Sequence, residues 1–219
     1  MESANRSLVC LLTIGLFLAG GVGAQPAPTF SGVPPIALKQ GQSIELTLNG
    51  KDLDSLASAA VADPRGLTIT LDKPQKPNAG EVRLKIAAAP DAALGDREMR
   101  LIGPAGVTRP LRVFVSQYHV VVENEPNNQP AEAQAVQLPA TLVGRIKGAG
   151  SIDQFRFLST KGQKLIFDVH SSRIRSPLAP VVTIHSIAGR EMRTHVEHHG
   201  GDPLVAFAAP ADGQYLLRL

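Results

Sequence analysis

Residues 43–50, with the sequence SIELTLNG, alternate polar and apolar side chains and close with Asn49-Gly50. Alternation with a period of two turns one face of a β-strand toward a core, and an Asn-Gly pair is typical of a tight turn. Short alternating runs recur in the first half of the chain at residues 67–71, 82–86, 99–102 and 111–115. Such strands, separated by turn residues, predict a two-layer β-sandwich.

The pattern breaks at residues 122–130, VENEPNNQP, and then resumes. Two Pro, three Asn and two Glu in this stretch cannot continue a strand, so we expect a linker or domain boundary here. Further strands are predicted at residues 141–146, 153–157, 164–169, 181–185, 204–207 and 215–219. Alternation places Phe155 and Phe157 on one face, and Tyr215 faces the core of this second unit.

Composition narrows the class of protein. The chain has 219 residues, 43% of them hydrophobic, which is enough for one or two globular cores. Its 22 basic and 19 acidic residues give a formal charge of +3, and basic residues form no stripe. This balance excludes nucleic-acid binding driven by charge. Aromatic residues are scarce, with seven Phe, two Tyr and no Trp. Few aromatic side chains are therefore available to bind polysaccharide or collagen.

The first 24 residues are predicted to be a secretory signal peptide. A polar start with Arg6 precedes the uncharged run LVCLLTIGLFLA, and Val22 and Ala24 fit a cleavage site before Gln25. The run is too short to cross a bilayer core of about 30 Å as a retained helix; the alternative is a short buried helix. Since Cys10 lies inside this run, the mature chain would have no cysteine, no disulfide and no transmembrane segment.

We therefore predict an all-β fold with two tandem β-sandwich domains after a signal peptide. The expected boundaries are 1–24 for the signal peptide, 25–118 for the first sandwich, 119–130 for the linker and 131–219 for the second sandwich. The first sandwich loosely resembles an immunoglobulin-like module of bacterial surface proteins over residues 30–117. The matching features are a strand start at 41–48, a turn at 50–53 and a closing hairpin at 103–108.

The second unit carries a more specific series of motifs, at residues 125–128 (EPNN), 143–146 (VGRI), 152–157 (IDQFRF), 162–165 (GQKL), 188–191 (AGRE) and 210–215 (PADGQY). In order and spacing it resembles the bacterial pre-peptidase C-terminal domain, a β-sandwich related to collagen-binding modules of secreted clostridial collagenases. The same series of motifs also resembles domains found in large planctomycete secreted proteins. Since the family continues with further strands, we expect the chain to be a fragment or a truncated reading frame whose second sandwich lacks its last strands.

This resemblance implies a structural calcium site at the start of the second sandwich. The implied ligands are oxygen donors, namely Glu123, Glu125, Asn127, Asn128 and Asp153. Calcium takes six to eight oxygen ligands, so carboxylates and amide carbonyls suit it. Ser151 stands where many relatives carry a second acidic ligand, which would weaken binding. The alternative is a solvated linker whose Glu and Asn side chains cap turns.

A second cluster of potential ligands lies at residues 195–199, HVEHH. His195, His198 and His199 with Glu197 could hold a transition metal, but no zinc-protease spacing and no distant third ligand accompany them. The alternative is a solvated, His-rich turn. Gly-x-Ser-x-Gly elbows and phosphate-binding loops are absent from the sequence.

From these features we expect no enzymatic activity. The predicted function is that of an exported binding or spacer protein, periplasmic, cell-surface or extracellular, acting in adhesion or substrate presentation. Its expected partner is an extracellular protein or polysaccharide. The alternative is that these are N-terminal accessory modules of a larger secreted hydrolase, with a peptidase favoured.

Overall fold

A computed structural model describes residues 26–72, 80–148, 150–195 and 201–219. Within these ranges the chain forms 18 β-strands and one 3-10 helix. The all-β class is therefore confirmed. No helix in the described ranges is long and apolar enough to span a membrane. The predicted signal peptide lies outside the described residues.

The first half of the chain forms two facing sheets. Its strands are β1 (Thr29–Gly32), β2 (Ile36–Lys39), β3 (Ser43–Lys51), β4 (Ser58–Val61), β5 (Leu67–Asp72), β6 (Glu81–Ala88), β7 (Gly95–Gly103), β8 (Gly106–Val107) and β9 (Leu111–Ser116). One sheet has the order β1-β3-β6-β5, and the other has the order β2-β9-β7-β4 with β8 paired to β7. We call these nine strands the first sandwich.

Alternating residues from both sheets fill the core of the first sandwich. On β6, Val82, Leu84 and Ile86 are buried while Arg83 and Lys85 are exposed, as the period-two pattern predicts. The facing sheet contributes side chains that are fully buried, including Met99, Leu101, Val113 and Val115. These residues form one continuous cluster, so the first sandwich has its own core.

The predicted turn at Asn49-Gly50 is wrong. Both residues lie inside β3, where Gly50 pairs with Phe30 of β1. A Cβ atom on Gly50 would lie 1.9 Å from the carbonyl oxygen of Thr29. Glycine is therefore required here because β1 approaches the backbone of β3 closely, and the chain continues without turning.

The second half of the chain forms one large sheet covered by two small ones. Its strands are β10 (His119–Val122), β11 (Gln134–Val136), β12 (Ala140–Val143), β13 (Gln154–Ser159), β14 (Lys164–Asp168), β15 (Val182–Ser186), β16 (Glu191–His195), β17 (Leu204–Ala208) and β18 (Gly213–Arg218), with the 3-10 helix at Ser172–Ile174. The large sheet has the order β11-β13-β18-β15-β16; β10 pairs with β12, and β14 pairs with β17. We call these strands the second sandwich.

The core of the second sandwich is aromatic at its centre. Phe157 lies 5.3 Å from Phe167 and 5.8 Å from Tyr215 between ring centroids. Phe155 and Leu217 are buried in the same cluster, so the predicted inward faces of β13 and β18 are confirmed. Aromatic pairs at these distances add to the stabilisation that their buried area provides.

One predicted strand of the second sandwich is shorter than expected. The run at residues 141–146 forms β12 only as far as Val143, and Gly144, Arg145 and Ile146 lie outside any strand. Beyond the end of β12, the main-chain N–H of Arg145 donates to the carboxylate of Glu123 at 2.8 Å. Its guanidinium donates to the carbonyl oxygen of Val33 in the first sandwich at 2.9 Å.

The two sandwiches follow each other almost without a gap. β9 ends at Ser116 and β10 begins at His119, and residues 119–122 of the predicted linker are strand. The hydroxyl groups of Ser116 and Thr141 lie 2.7 Å apart across this joint. β10 runs parallel to β12, and its Val121 packs against the core of the second sandwich.

Candidate cation site at the start of the second sandwich

Three chain segments meet where the second sandwich begins. β10 extends by one hydrogen bond, from the N–H of Glu123 to the carbonyl oxygen of Val143 at 2.8 Å. The chain then leaves the sheet as a connector, residues 123–133, which contains no strand. Asp153 immediately precedes β13 and exchanges two main-chain hydrogen bonds of 3.0 Å with Leu219. Strand ends therefore position the acidic residues, while the connector itself is irregular.

Glu123 is the organising side chain of this region. One carboxylate oxygen, Oε1, accepts a hydrogen bond from Asn127 Nδ2 at 3.0 Å. The other, Oε2, accepts the Arg145 main-chain N–H. A Cβ atom on Gly144 would lie 2.6 Å from Oε2, so the glycine after β12 leaves room for this carboxylate.

Asn127 is fully buried and only half satisfied. Its side chain has no solvent exposure, and Nδ2 donates to Glu123. Its Oδ1 is buried and accepts no hydrogen bond from any residue that the structure describes. A buried polar atom without a partner costs free energy, on the order of 1–3 kcal/mol, so Oδ1 is an acceptor that a ligand could satisfy.

Asp153 lies beside Glu123 with only 4% of the residue exposed. Burial raises the pKa of Asp153 to about 7, and a hydrogen bond with Glu123 and the charges of Glu123 and Glu125 act in the same direction. Lys147 opposes the shift. Two carboxyl groups in contact cannot both ionise without repulsion, which a bound cation would remove.

The remaining predicted ligands have other partners. Glu125 forms an ion pair with Lys147 at 2.6 Å and contributes charge to the region. Asn128 donates from Nδ2 to the main-chain carbonyl oxygen of Ile152 at 3.0 Å. The main-chain carbonyl oxygen of Asn128 accepts from Gln154 Nε2 at 2.7 Å. Asn128 therefore fixes the connector to the start of β13.

The structure thus brings together Glu123, Asn127 and Asp153, which we call the cation site. Among the described residues, no three His, Cys, Asp or Glu side chains converge as a metal centre. The third donor here is an amide oxygen, so the set consists of oxygens alone. All-oxygen donors favour calcium or magnesium over zinc and other transition metals.

The predicted histidine cluster falls mostly outside the described residues. His195 is the last residue of β16, where its backbone pairs with Val182. Residues 196–200, which include His198 and His199, are not described. The cluster therefore remains a prediction.

A shallow cavity lies next to the cation site, on the outer face of the large sheet. It has a volume of about 270 Å³, and its lining includes Asn128, Gln154, His185, Leu216 and Arg218. Leu216 is 1% exposed, although it does not belong to the buried cluster of the second sandwich.

Sequence reasoning also missed a buried carboxylate that organises the 3-10 helix. Asp202 accepts the main-chain N–H groups of Ser171, Ser172 and Arg173 at 2.6–3.1 Å, and the Arg173 Nε at 3.0 Å. Burial alone would raise the pKa of Asp202, but these donors outweigh it and lower the pKa to about 2. Its partners lie about thirty residues away in the chain, so no local pattern reveals them.

Comparisons with known proteins return structural similarity at low identity. No protein-family model matches the chain, and no curated protein matches it at a significant level. Domains 5-6 of the S-layer protein SbsC match with a TM-score of 0.33 and 8% identity, over 88% of this chain and 98% of that one. The SrpA adhesin from Streptococcus sanguinis matches with a TM-score of 0.28 and 12% identity, over 50% and 71%.

A sugar-binding protein is also similar in structure. SGBP-B of the Bacteroides ovatus mixed-linkage glucan utilization locus, solved with a mixed-linkage heptasaccharide, matches with a TM-score of 0.32 and 13% identity. The match covers 86% of this chain but 38% of SGBP-B, so the chain spans well under half of that protein. None of these three is a pre-peptidase C-terminal domain. The function is therefore inferred from the site itself.

Proposed function

We propose that this chain is a non-catalytic exported protein of two β-sandwich modules, acting as a binding or spacer element that calcium makes rigid. The observation that supports this most directly is Asn127 Oδ1, a buried acceptor without a donor. It lies on a residue bonded to Glu123, which itself contacts Asp153. Two carboxyl groups and an unpartnered amide oxygen form a donor set that a hard divalent cation would satisfy.

Calcium at this position would join three segments of the second sandwich. Glu123 follows β10, Asn127 lies further along the connector, and Asp153 immediately precedes β13. Glu123 also receives the N–H of Arg145, whose guanidinium reaches Val33 in the first sandwich. A cation that fixes Glu123 would therefore restrict the connector and the joint between the sandwiches together.

The second sandwich is, in this proposal, a pre-peptidase C-terminal-like domain. Support comes from the places that the motif residues take. Gly144 makes room for Glu123, and Asp153 stands directly before β13. Asn128 donates a hydrogen bond to the main-chain carbonyl of Ile152, the first residue of the motif at 152–157.

The partner in this proposal is an extracellular protein or polysaccharide. The cavity lined by Gln154 and Arg218 is a recess on the outer face of the large sheet, where a partner could bind. Tyr118 is 41% exposed, whereas Tyr215 is buried, so exposed tyrosine is scarce in the described residues. Without exposed aromatic side chains, each module would bind its partner weakly. Several modules in one protein would bind with higher avidity.

A calcium titration of the exported chain, beginning at Gln25, tests the proposal. Thermal unfolding is followed by far-ultraviolet circular dichroism, first with a chelator and then with millimolar Ca²⁺. A ligand that binds only the folded state stabilises it, by about 2.7 kcal/mol at a concentration of 100 times Kd, so the melting temperature should rise. An unchanged melting temperature would refute the calcium site.

A further inference from the structure

His170 stands at the contact between the two sandwiches. It follows β14, and its Nε2 lies 3.2 Å from Asp168 Oδ2 in the same sandwich. Its Nδ1 lies 3.4 Å from Asp96 Oδ2 on β7 of the first sandwich. The imidazole therefore lies between two carboxylates that belong to different cores.

The first sandwich also supplies an aromatic contact. The ring of Phe114, on β9, meets the imidazole edge-to-face with centroids 5.0 Å apart and planes at 78°. The side chain of His170 is 26% exposed and that of Asp96 is 18% exposed. The contact is therefore partly shielded from water, where charge pairs are stronger than at an open surface.

Both contacts at once require a protonated ring. An ionised carboxylate only accepts hydrogen bonds, and a neutral imidazole has a single N–H to donate. The imidazolium form donates from both nitrogens, to Asp96 and Asp168 together. The second oxygen of Asp96, Oδ1, is buried and accepts no hydrogen bond within the described ranges, so His170 is the side chain seen to donate to this carboxylate there.

We propose that His170 is a pH-sensitive latch. While its ring is protonated, His170 bonds to both sandwiches and joins them; when the ring loses a proton, one of these two bonds is lost and the sandwiches are no longer joined through His170. The latch comprises His170, Asp96 and Asp168. None of these residues belongs to the cation site. The inference therefore does not depend on calcium binding.

The charges around the ring favour the joined form. The hydrogen bond to Asp96 raises the pKa of His170, and the charges of Asp168 and Asp96 add to it. Burial and the nearby Arg173, from the 3-10 helix, oppose the shift. Because the folded pKa lies above the ordinary value of about 6.5, the stabilisation is complete below pH 6.5 and is lost as pH rises through the folded pKa.

A neighbouring ion pair crosses the same boundary and contains no histidine. Arg175, just after the 3-10 helix, lies 3.6 Å from Glu98 on β7. Glu98 also lies 3.6 Å from Arg112 on β9. Glu98→Gln is therefore a matched control that weakens the joint without removing its pH dependence.

NMR relaxation on the exported chain measures whether the two sandwiches tumble as one unit. We expect joint tumbling at pH 6 and more independent tumbling at pH 9. His170→Gln should abolish this difference, while Glu98→Gln should keep it. The ring C–H resonances of His170 should titrate with a midpoint above 6.5.

Two results would overturn the latch. One is a His170→Gln chain that retains the pH dependence of the wild type. The other is a His170 midpoint at or below 6.5. Should His170→Gln fail to fold, Asp96→Asn keeps the imidazole and removes the acceptor across the joint. That variant should lower the His170 midpoint and lose the pH dependence, and an unchanged midpoint would count against the latch equally.

Discussion

Asn127 donates its side-chain N–H to the carboxylate of Glu123 at 3.0 Å, only four residues earlier in the chain. This bond fixes the orientation of the amide, and Oδ1 is buried without a donor among the residues that the structure describes. The connector between β10 and β11 therefore carries an acceptor that no described residue satisfies. The first two predictions follow from this arrangement.

Replacing Asp153 with Asn should separate calcium binding from stability. In chelator, Asp153→Asn is expected to be at least as stable as the wild type, because it removes a buried carboxyl that contacts Glu123. With Ca²⁺ present, the variant should lose the rise in melting temperature. Thermal unfolding in both conditions checks this. The exposed Asp91→Asn serves as control, and a calcium response equal in Asp153→Asn and wild type would contradict the assignment.

A methyl group at Gly144 should disturb the cation site more than the fold. The added Cβ would lie 2.6 Å from Glu123 Oε2, so this carboxylate must move away from Asn127. We expect Gly144→Ala to weaken calcium binding at least tenfold in a calorimetric titration. Gly148→Ala, whose Cβ would meet nothing within 4 Å, should bind as the wild type does. Equal affinity in the two variants would argue against Glu123 as a ligand.

Phe157 should contribute strongly to stability, and the next residue should not. Phe157 is 3% exposed between Phe167 and Tyr215, whereas Leu158 is 69% exposed on the opposite face of β13. Phe157→Ala is expected to cost about 3–5 kcal/mol in chemical denaturation, the usual range for a buried aromatic ring. Leu158→Ala should stay within about 0.5 kcal/mol. Similar losses for both would mean that the face of β13 is wrongly assigned.

Acid should weaken the second sandwich through Asp202. Its folded pKa of about 2 lies below the ordinary value near 3.8, so its contribution is present above pH 4 and is lost as pH falls toward 2. From this difference we expect a loss of about 2 kcal/mol across that window. Asp202→Asn keeps the shape, should be less stable at pH 7, and should lack this part of the acid dependence. Urea denaturation from pH 2 to 7 measures both, and parallel profiles would contradict the prediction.

Much of the fold was predictable because short amphipathic strands carry their own signal. The alternation around Phe155 and Phe157 gave both the strand and its buried face correctly. Asn49-Gly50 misled because an Asn-Gly pair signals a turn locally, while the close approach of β1 is a distant constraint. The burial of Leu216 is not indicated by alternation either, because Tyr215 and Leu217 on either side of it face the core.

The candidate site was predictable in part. The family resemblance pointed to the acidic and amide residues of the connector, and three of the five named side chains come together. The latch was not predictable, because Asp96 and His170 are separated by 74 positions and belong to different cores. Nothing in the neighbourhood of either residue in the sequence indicates the other.

The near-continuous passage from β9 into β10 has a mechanical consequence. Only two residues separate these strands, and each is hydrogen-bonded along its length to a neighbour, β9 to β7 and β2, and β10 to β12. A pulling force transmitted through the joint acts along both strands, so it strains their rows of hydrogen bonds in shear, many at once. The two modules should therefore extend little under tension, and they should unfold abruptly when one of these rows of hydrogen bonds breaks.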